Sequence, residues 1–144
     1  CIVGANGRTM KEGYEESKEQ HMHAYGDGRP VEKELQVDFV GHCWFFKTEW
    51  IHYMWRENPP TYENGEDIQL GYLAKRYGGV QCYCPPHPAD KPELHSSIKA
   101  EQYGNDKKAS SNGSLMSIPQ FYAQRDQCIS HGITNGWETV VGIK

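Results

Sequence analysis

The chain has 144 residues, which is the length of one domain. Its formal charge is -4, from 15 basic and 19 acidic residues. This charge excludes a broadly basic nucleic-acid-binding protein, because phosphate neutralisation needs clustered Lys and Arg. No apolar run approaches the roughly 20 residues that span a bilayer, so we predict no transmembrane segment. Apolar residues make up only 37% and the first residue is Cys1 rather than Met, so we expect either a chain whose start was removed by processing or part of a longer protein.

The predicted elements begin with a short strand. Residues 1–5 are apolar and are followed by Asn6-Gly7, which predicts a buried strand that ends in a turn. Residues 8–34 are polar and charged, and only 11–25 have room for a helical turn or two. Because so long a connection is usually functional in a compact domain, we expect a loop that orders on a ligand.

A second, longer strand is predicted over 35–46. Apolar and polar residues alternate there, as in a strand with one buried face. The alternation leaves Asp38 as a lone carboxylate beside the core. Gly41 marks either a β-bulge or a close approach of another backbone segment.

Two amphipathic helices are predicted next. An apolar stripe indicates a helix over 47–57, and Asn58-Pro59-Pro60 ends it because the residue before proline avoids the α region. A second stripe over 68–77 indicates a helix that Gly78-Gly79 terminates. Asn64 is the predicted N-cap of this second helix.

A short strand and a last helix complete the predicted elements. The strand covers 80–84 and is closed by Pro85-Pro86-His87-Pro88. Residues 89–114 are polar and contain no predicted element, whereas 117–131 are predicted to be helical. The residues that mark the ends of this helix are Ser117, Pro119 and Gly132.

The five cysteines are an odd number spread along the chain, which does not fit a secreted disulfide framework. Buried, reduced thiols of a cytosolic protein are the simplest interpretation. The alternative is a metal site built from Cys82, Cys84, His87 and His95. It is disfavoured because the two cysteines are closer together than in the usual zinc knuckle.

Glu66 and Asp67 are two acidic residues at the start of the second predicted helix. The helix macrodipole by itself favours negative charge at such a position. Two further features favour a functional interpretation. Aromatic residues are unusually frequent just upstream, and His42 and His87 lie on either side of the acidic pair in the sequence.

The runs VDFVGHCWFFKTEWIHYMW and GEDIQLGYLAKRYGGVQCYCPPHP resemble the C-terminal, acceptor-side half of a family 2 nucleotide-sugar glycosyltransferase of GT-A fold. The resemblance lies in the order of the motifs and is best over residues 35–88. It implies that residues 1–144 form a single α/β domain. This domain would be a partial GT-A-like, Rossmann-like unit in which a mixed sheet has flanking helices and long polar loops.

The resemblance also implies an enzyme that transfers a sugar from a nucleotide-sugar donor to an acceptor hydroxyl with inversion. Asp67 is then the general base, and Glu66 binds the acceptor or acts as the alternate base. A carboxylate at a helix N-terminus suits this role because it can accept the proton of a hydrogen-bonded hydroxyl. Aromatic faces would carry sugar rings, although most aromatics of a domain belong to its core. The residues assigned to substrate contacts are Asp38, His42, Trp44, Trp50 and Gly65.

The donor's diphosphate requires charge neutralisation, which enzymes of this family usually supply with Mn²⁺ or Mg²⁺ on an Asp-x-Asp motif. No Asp-x-Asp occurs in the sequence, and His87 is the candidate metal ligand of this chain. We therefore expect an N-terminal half with the donor site, or a homo-oligomer. The expected partners are a nucleotide-sugar and a carbohydrate acceptor, in the cytoplasm or at the cytoplasmic face of a membrane.

Two alternatives remain beside the enzyme. A non-catalytic module that binds carbohydrate or nucleotide-sugar would use the aromatic cluster for binding and would not need Asp67. A small metal-binding domain would use the cysteines and histidines between residues 82 and 95, and its folding would depend on the metal.

Overall fold

A computed structural model describes residues 1–10, 22–26, 30–94 and 119–142. The fold is mixed α/β, as predicted, with a curled five-stranded sheet and a few helices. The strands are β1 (Ile2–Thr9), β2 (His23–Tyr25), β3 (Leu35–Val37), β4 (Phe39–Phe45) and β5 (Cys82–Cys84). The helices are α1 (Glu66–Gly78), α2 (Phe121–Thr134) and two 3₁₀ helices, Thr48–Trp55 and Pro92–Leu94.

Strand β1 is the centre of the sheet. Val3 pairs with Phe45 of β4 and with Tyr83 of β5, and Gly7 pairs with both β4 and β2. A strand has two edges, so β4 lies along one edge of β1 while β2 and β5 share the other. β5 is parallel to β1, and β3 pairs with β5 in antiparallel orientation.

The prediction of a turn at Asn6-Gly7 is wrong, because β1 continues to Thr9. Gly7 serves a close approach inside the sheet instead. A Cβ atom added to it would lie 2.7 Å from Cγ1 of Val37, which no side chain tolerates without movement.

The single strand predicted over 35–46 is two strands that meet at Asp38. β3 belongs to one side of the curled sheet and β4 to the other. Asp38 is buried beside the core, as predicted. Its backbone N–H donates to the carbonyl of Arg8 at 2.8 Å, so the chain crosses between the two sides of the sheet at this residue.

Of the two alternatives predicted at Gly41, the β-bulge is present, in the pairing of β1 with β4. Gly4 pairs with Trp44 and Asn6 pairs with Gly41, so two residues of β4 lie opposite one residue of β1. One of the two, His42, has a φ of 57°. Bulges re-aim side chains, and His42 is exposed here.

The segment predicted as an amphipathic α-helix over 47–57 is a 3₁₀ helix, Thr48–Trp55. Only Met54 of the predicted apolar stripe is buried, whereas Ile51 and Trp55 are 41% and 69% exposed. In a 3₁₀ helix, residues three apart share a face. Trp50 and Tyr53 accordingly pack together against the core.

Helix α1 forms where predicted, and Gly79 ends it with a φ of 62°. The N-cap residue is Gly65, with a φ of 93° and no side-chain cap, so the prediction of Asn64 as N-cap is wrong. The helix lies between two apolar clusters. Leu70 and Ala74 belong to the cluster under the sheet, and neighbouring residues of α1 belong to a second cluster around Trp137.

Helix α2 extends past the predicted terminator Gly132 to Thr134. A Cβ atom on Gly132 would lie 2.7 Å from Cε3 of Trp137. This glycine within the helix therefore leaves space for the buried indole of Trp137, which packs against α2. The predicted cap Ser117 and the candidate ligand His95 lie outside the described residues, as do most of the two long polar connections.

The cysteines are all free, and three of the five are buried. This agrees with the interpretation as mainly buried thiols. Among the helices that the structure describes, none is both long and apolar enough to cross a membrane.

Candidate functional site

Asp67 occupies the first turn of α1 and is held on both carboxylate oxygens. Oδ1 accepts the backbone N–H of Ile68 at 2.9 Å. Oδ2 accepts Nη2 of Arg125 at 2.6 Å, in an ion pair whose side chains are only 10% and 7% exposed. Two hydrogen bonds on different oxygens determine the orientation of the carboxylate plane.

Arg125 comes from α2, and no local pattern in the sequence distinguishes this arginine from the other polar residues of its helix. Its guanidinium lies 5.7 Å from the ring centre of Phe39 and 5.4 Å from that of Phe121. Its Nη1 donates to Oδ1 of Asn64 at 3.2 Å. The guanidinium therefore spans the first turn of α1 and the residue that leads into it.

The turn before α1 is packed tightly against α2. Asn64 donates its side-chain N–H to the carbonyl of Phe121 at 3.1 Å, and this contact replaces the predicted helix cap. Gly65 is buried, and a Cβ atom on it would lie 2.5 Å from Sγ of Cys128. Gly65 was predicted to contact substrate, and its observed contacts are with α2. Glu66, the next residue, is exposed.

Strand β4 faces the Asp67 carboxylate with a glycine. A Cβ atom on Gly41 would lie 3.9 Å from Oδ2 of Asp67, so this side of the carboxylate borders backbone rather than a side chain. His42 follows and is exposed on the bulge. Trp44 is half-buried, and its indole N–H is buried with no acceptor among the described residues.

Asp38 and Trp50, which were also predicted to contact substrate, make their described contacts with residues other than those around Asp67. Asp38 accepts the backbone N–H of Met10 at 2.8 Å and that of Val140 at 2.6 Å. Burial raises the pKa of Asp38 although these hydrogen bonds and the charge of Lys75 oppose the shift. Trp50 is half-buried against the core, with the ammonium of Lys47 5.4 Å from its ring centre.

His87, the predicted metal ligand, is buried beside a thiol and a neighbouring backbone segment. The residue is 2% exposed, its Nδ1 lies 3.9 Å from Sγ of Cys84, and its backbone bridges to Val31. Burial raises the pKa of Cys84 to about 11 and that of Cys82 to about 12, so both side chains are protonated thiols at neutral pH. Within the described ranges, no three His, Cys, Asp or Glu side chains are grouped to hold a metal ion.

A second polar cluster surrounds Glu57, just after the long 3₁₀ helix. Its carboxylate accepts the hydroxyls of Tyr77 at 2.8 Å and Tyr72 at 3.2 Å, and it pairs with Arg76 at 3.4 Å and His131 at 3.3 Å. Burial acts to raise the pKa of Glu57, but these hydrogen bonds and the positive charge outweigh it, so its pKa is lowered. The cluster ties the 3₁₀ helix to α1 and α2.

Comparison of the chain with protein-family models, with curated proteins and with solved structures found no match. The residues that the structure brings together are Gly41, Glu66 and Asp67, with Asn64 and Arg125 behind them. Asp38, Trp50 and His87 make the separate contacts described above.

Proposed function

We propose that this chain is the acceptor-side part of a GT-A-like glycosyltransferase, which transfers a sugar from a nucleotide-sugar donor to an acceptor hydroxyl with inversion. The observation that carries the proposal is the carboxylate of Asp67. It lies at the start of a buried helix, is oriented by two hydrogen bonds and borders the glycine backbone of β4. The order of the sequence motifs around it supports the same assignment.

In the proposed reaction Asp67 is the general base. Each carboxylate oxygen has two lone-pair sites, and the observed hydrogen bonds occupy one on each oxygen. A remaining site accepts the proton of the acceptor hydroxyl while the hydroxyl oxygen attacks the anomeric carbon of the donor. The bond between that carbon and the diphosphate breaks, and the diphosphate leaves with the electron pair. A single displacement of this kind inverts the anomeric centre.

Glu66 and the bulge of β4 supply the proposed acceptor contacts. The exposed carboxylate of Glu66 accepts sugar hydroxyls beside the base, and the exposed imidazole of His42 offers a second polar contact from the strand. Trp44 offers the exposed part of its ring to the apolar face of a sugar. No described residue is assigned to the donor nucleotide or to its cation. The proposed location is the cytoplasm or the cytoplasmic face of a membrane.

The test uses the protein at its full natural length, a panel of nucleotide-sugars and a mixture of carbohydrate acceptors. Release of nucleoside diphosphate is measured for the wild type, for Asp67→Asn and for the exposed control Asp90→Asn. General-base catalysis contributes about 10²–10⁴-fold, so we expect Asp67→Asn to lower kcat by at least about 100-fold while the control keeps wild-type activity.

Two results would contradict the proposal. One is a folded Asp67→Asn variant that retains activity within about twofold of the wild type, a change too small for a general base. The other is sugar binding by the wild type with no turnover of any donor, which would instead support the non-catalytic binding module.

A further inference from the structure

Arg125 is separated from Asp67 by 58 positions in the sequence, yet it makes the shortest polar contact that Asp67 has among those described. Both side chains are buried, and the guanidinium is covered by aromatic rings of β4 and α2. A planar guanidinium with fixed donors orients a carboxylate in a way that a flexible ammonium does not.

We propose that Arg125 is a positioning residue, which holds the carboxylate of Asp67 in the orientation that accepts the substrate proton. This inference rests on the proposed function and assigns part of the site to α2. The guanidinium acts through the carboxylate, because Nη2 of Arg125 binds Oδ2 of Asp67 at 2.6 Å, and Oδ2 is the oxygen that borders Gly41 of β4.

The contacts of Arg125 explain why one residue can control the base. One nitrogen binds Asp67 and the other binds Asn64, so the first turn of α1 and the preceding turn are linked through one rigid group. The backbone N–H of Ile68 alone holds only Oδ1 and leaves Oδ2 free to rotate. A misplacement of about 1 Å can cost about 100-fold in rate.

The test compares Arg125→Lys and Arg125→Met with Asp67→Asn, with the double variant Asp67→Asn/Arg125→Met and with the exposed control Arg56→Met. We expect Arg125→Met to lower kcat by about 10–100-fold with KM for the acceptor unchanged. Arg125→Lys keeps the charge and is expected to recover part of the lost rate, which also covers the case in which Arg125→Met does not fold.

The double variant separates positioning from a general structural role. If Arg125 acts only through Asp67, the double variant is no slower than Asp67→Asn alone, because residues that act as a unit are not additive. If the loss of kcat in the double variant equals the product of the losses in Asp67→Asn and Arg125→Met, the positioning role is overturned. It is also overturned if folded Arg125→Met and Arg125→Lys keep wild-type kcat. Crystal structures give a readout besides activity, because Asp67 must change its rotamer in Arg125→Met; an unchanged rotamer also overturns the inference.

The two proposals fail in different ways. Full turnover by Asp67→Asn would show that Asp67 is not the general base, and would overturn both the proposed function and the positioning role. Loss of turnover in Asp67→Asn with full turnover in both Arg125 variants leaves the proposed function intact and removes only the positioning role.

Discussion

Replacing Gly65 with alanine is expected to destabilise the protein by about 2–4 kcal/mol. The φ of 93° at this position places a residue with a side chain in a strained backbone region, at a cost of about 1–3 kcal/mol. The added Cβ atom would also lie 2.5 Å from Sγ of Cys128 and 3.3 Å from its Cβ. Overpacking of this kind costs about 1–3 kcal/mol, and partial relaxation of the turn keeps the total below the sum of the two upper limits.

Gly79→Ala is the matched control for this prediction. Gly79 also has a positive φ, 62°, but a Cβ atom there would meet nothing within 4 Å. Its expected cost is therefore the backbone strain alone, about 1 kcal/mol. The free energy of unfolding is measured by urea titration with tryptophan fluorescence, to which the buried Trp137 contributes.

The variant Gly65→Ala/Cys128→Ala tests the contact directly. Removing the sulfur leaves room for the new methyl group, so the double variant is expected to be more stable than the sum of the two single changes predicts. Equal costs for Gly65→Ala and Gly79→Ala, within about 0.5 kcal/mol, would refute the inference that α2 packs tightly on the turn before Asp67.

Three further predictions concern ionisable groups. Asp38→Asn is expected to cost about 1–3 kcal/mol at neutral pH, because an amide has one oxygen for the two backbone N–H groups that the carboxylate accepts. The pKa of Asp38 is raised above 3.8 in the folded state, so the folded protein takes up this proton before the unfolded chain does. The free energy of unfolding therefore rises as the pH falls through the folded pKa, and Asp38→Asn abolishes this rise. The contribution of Glu57 to the free energy of unfolding changes with pH in the opposite direction. Its pKa is lowered below 4.5, so its contribution is complete above that pH and is lost as the pH falls through the folded pKa, a loss that Glu57→Gln does not show. Finally, Cys82 and Cys84 are expected to react with a thiol reagent only on unfolding, whereas the exposed cysteines react in the folded protein.

Urea titrations between about pH 3 and pH 7 measure the first two effects as differences between each variant and the wild type. Parallel curves for the wild type and Glu57→Gln would contradict the lowered pKa of Glu57. Parallel curves for the wild type and Asp38→Asn would contradict the raised pKa of Asp38. Thiol counting in native buffer and in denaturant measures the third. Rapid modification of Cys82 or Cys84 in the folded protein would contradict the prediction and show that strand β5 opens readily.

The local sequence pattern was sufficient to predict α1, because residues close together in the chain specify this helix. Apolar side chains at helical spacing and a glycine that adopts a positive φ after the last turn specify the element and its end. The alternation of the strand predicted the buried carboxylate at Asp38 for the same reason, and the glycine at position 41 predicted the bulge as one of two alternatives.

The wrong predictions concern residues at which contacts with distant parts of the chain override the local structural preference. Gly132 resembles a helix terminator, but it lies within α2 because Trp137 needs the space of its missing side chain. Asn64 resembles an N-cap, but its side chain bonds α2 instead. The segment Thr48–Trp55 has an α-helical pattern in sequence and forms a 3₁₀ helix, whose period of three brings Trp50 and Tyr53 together on the core.

The amino-acid sequence by itself determined the mixed α/β class, the helix that begins with Glu66 and Asp67, and the acidic pair as the feature most worth testing. Only the tertiary structure decided which of the two acids is buried, which is exposed, and that an arginine 58 residues away binds Asp67. The physical reason is that helix periodicity and glycine preferences act between neighbours in the chain. The partner of a buried charge, in contrast, is chosen by the packing of α2 against α1, and no local pattern encodes it.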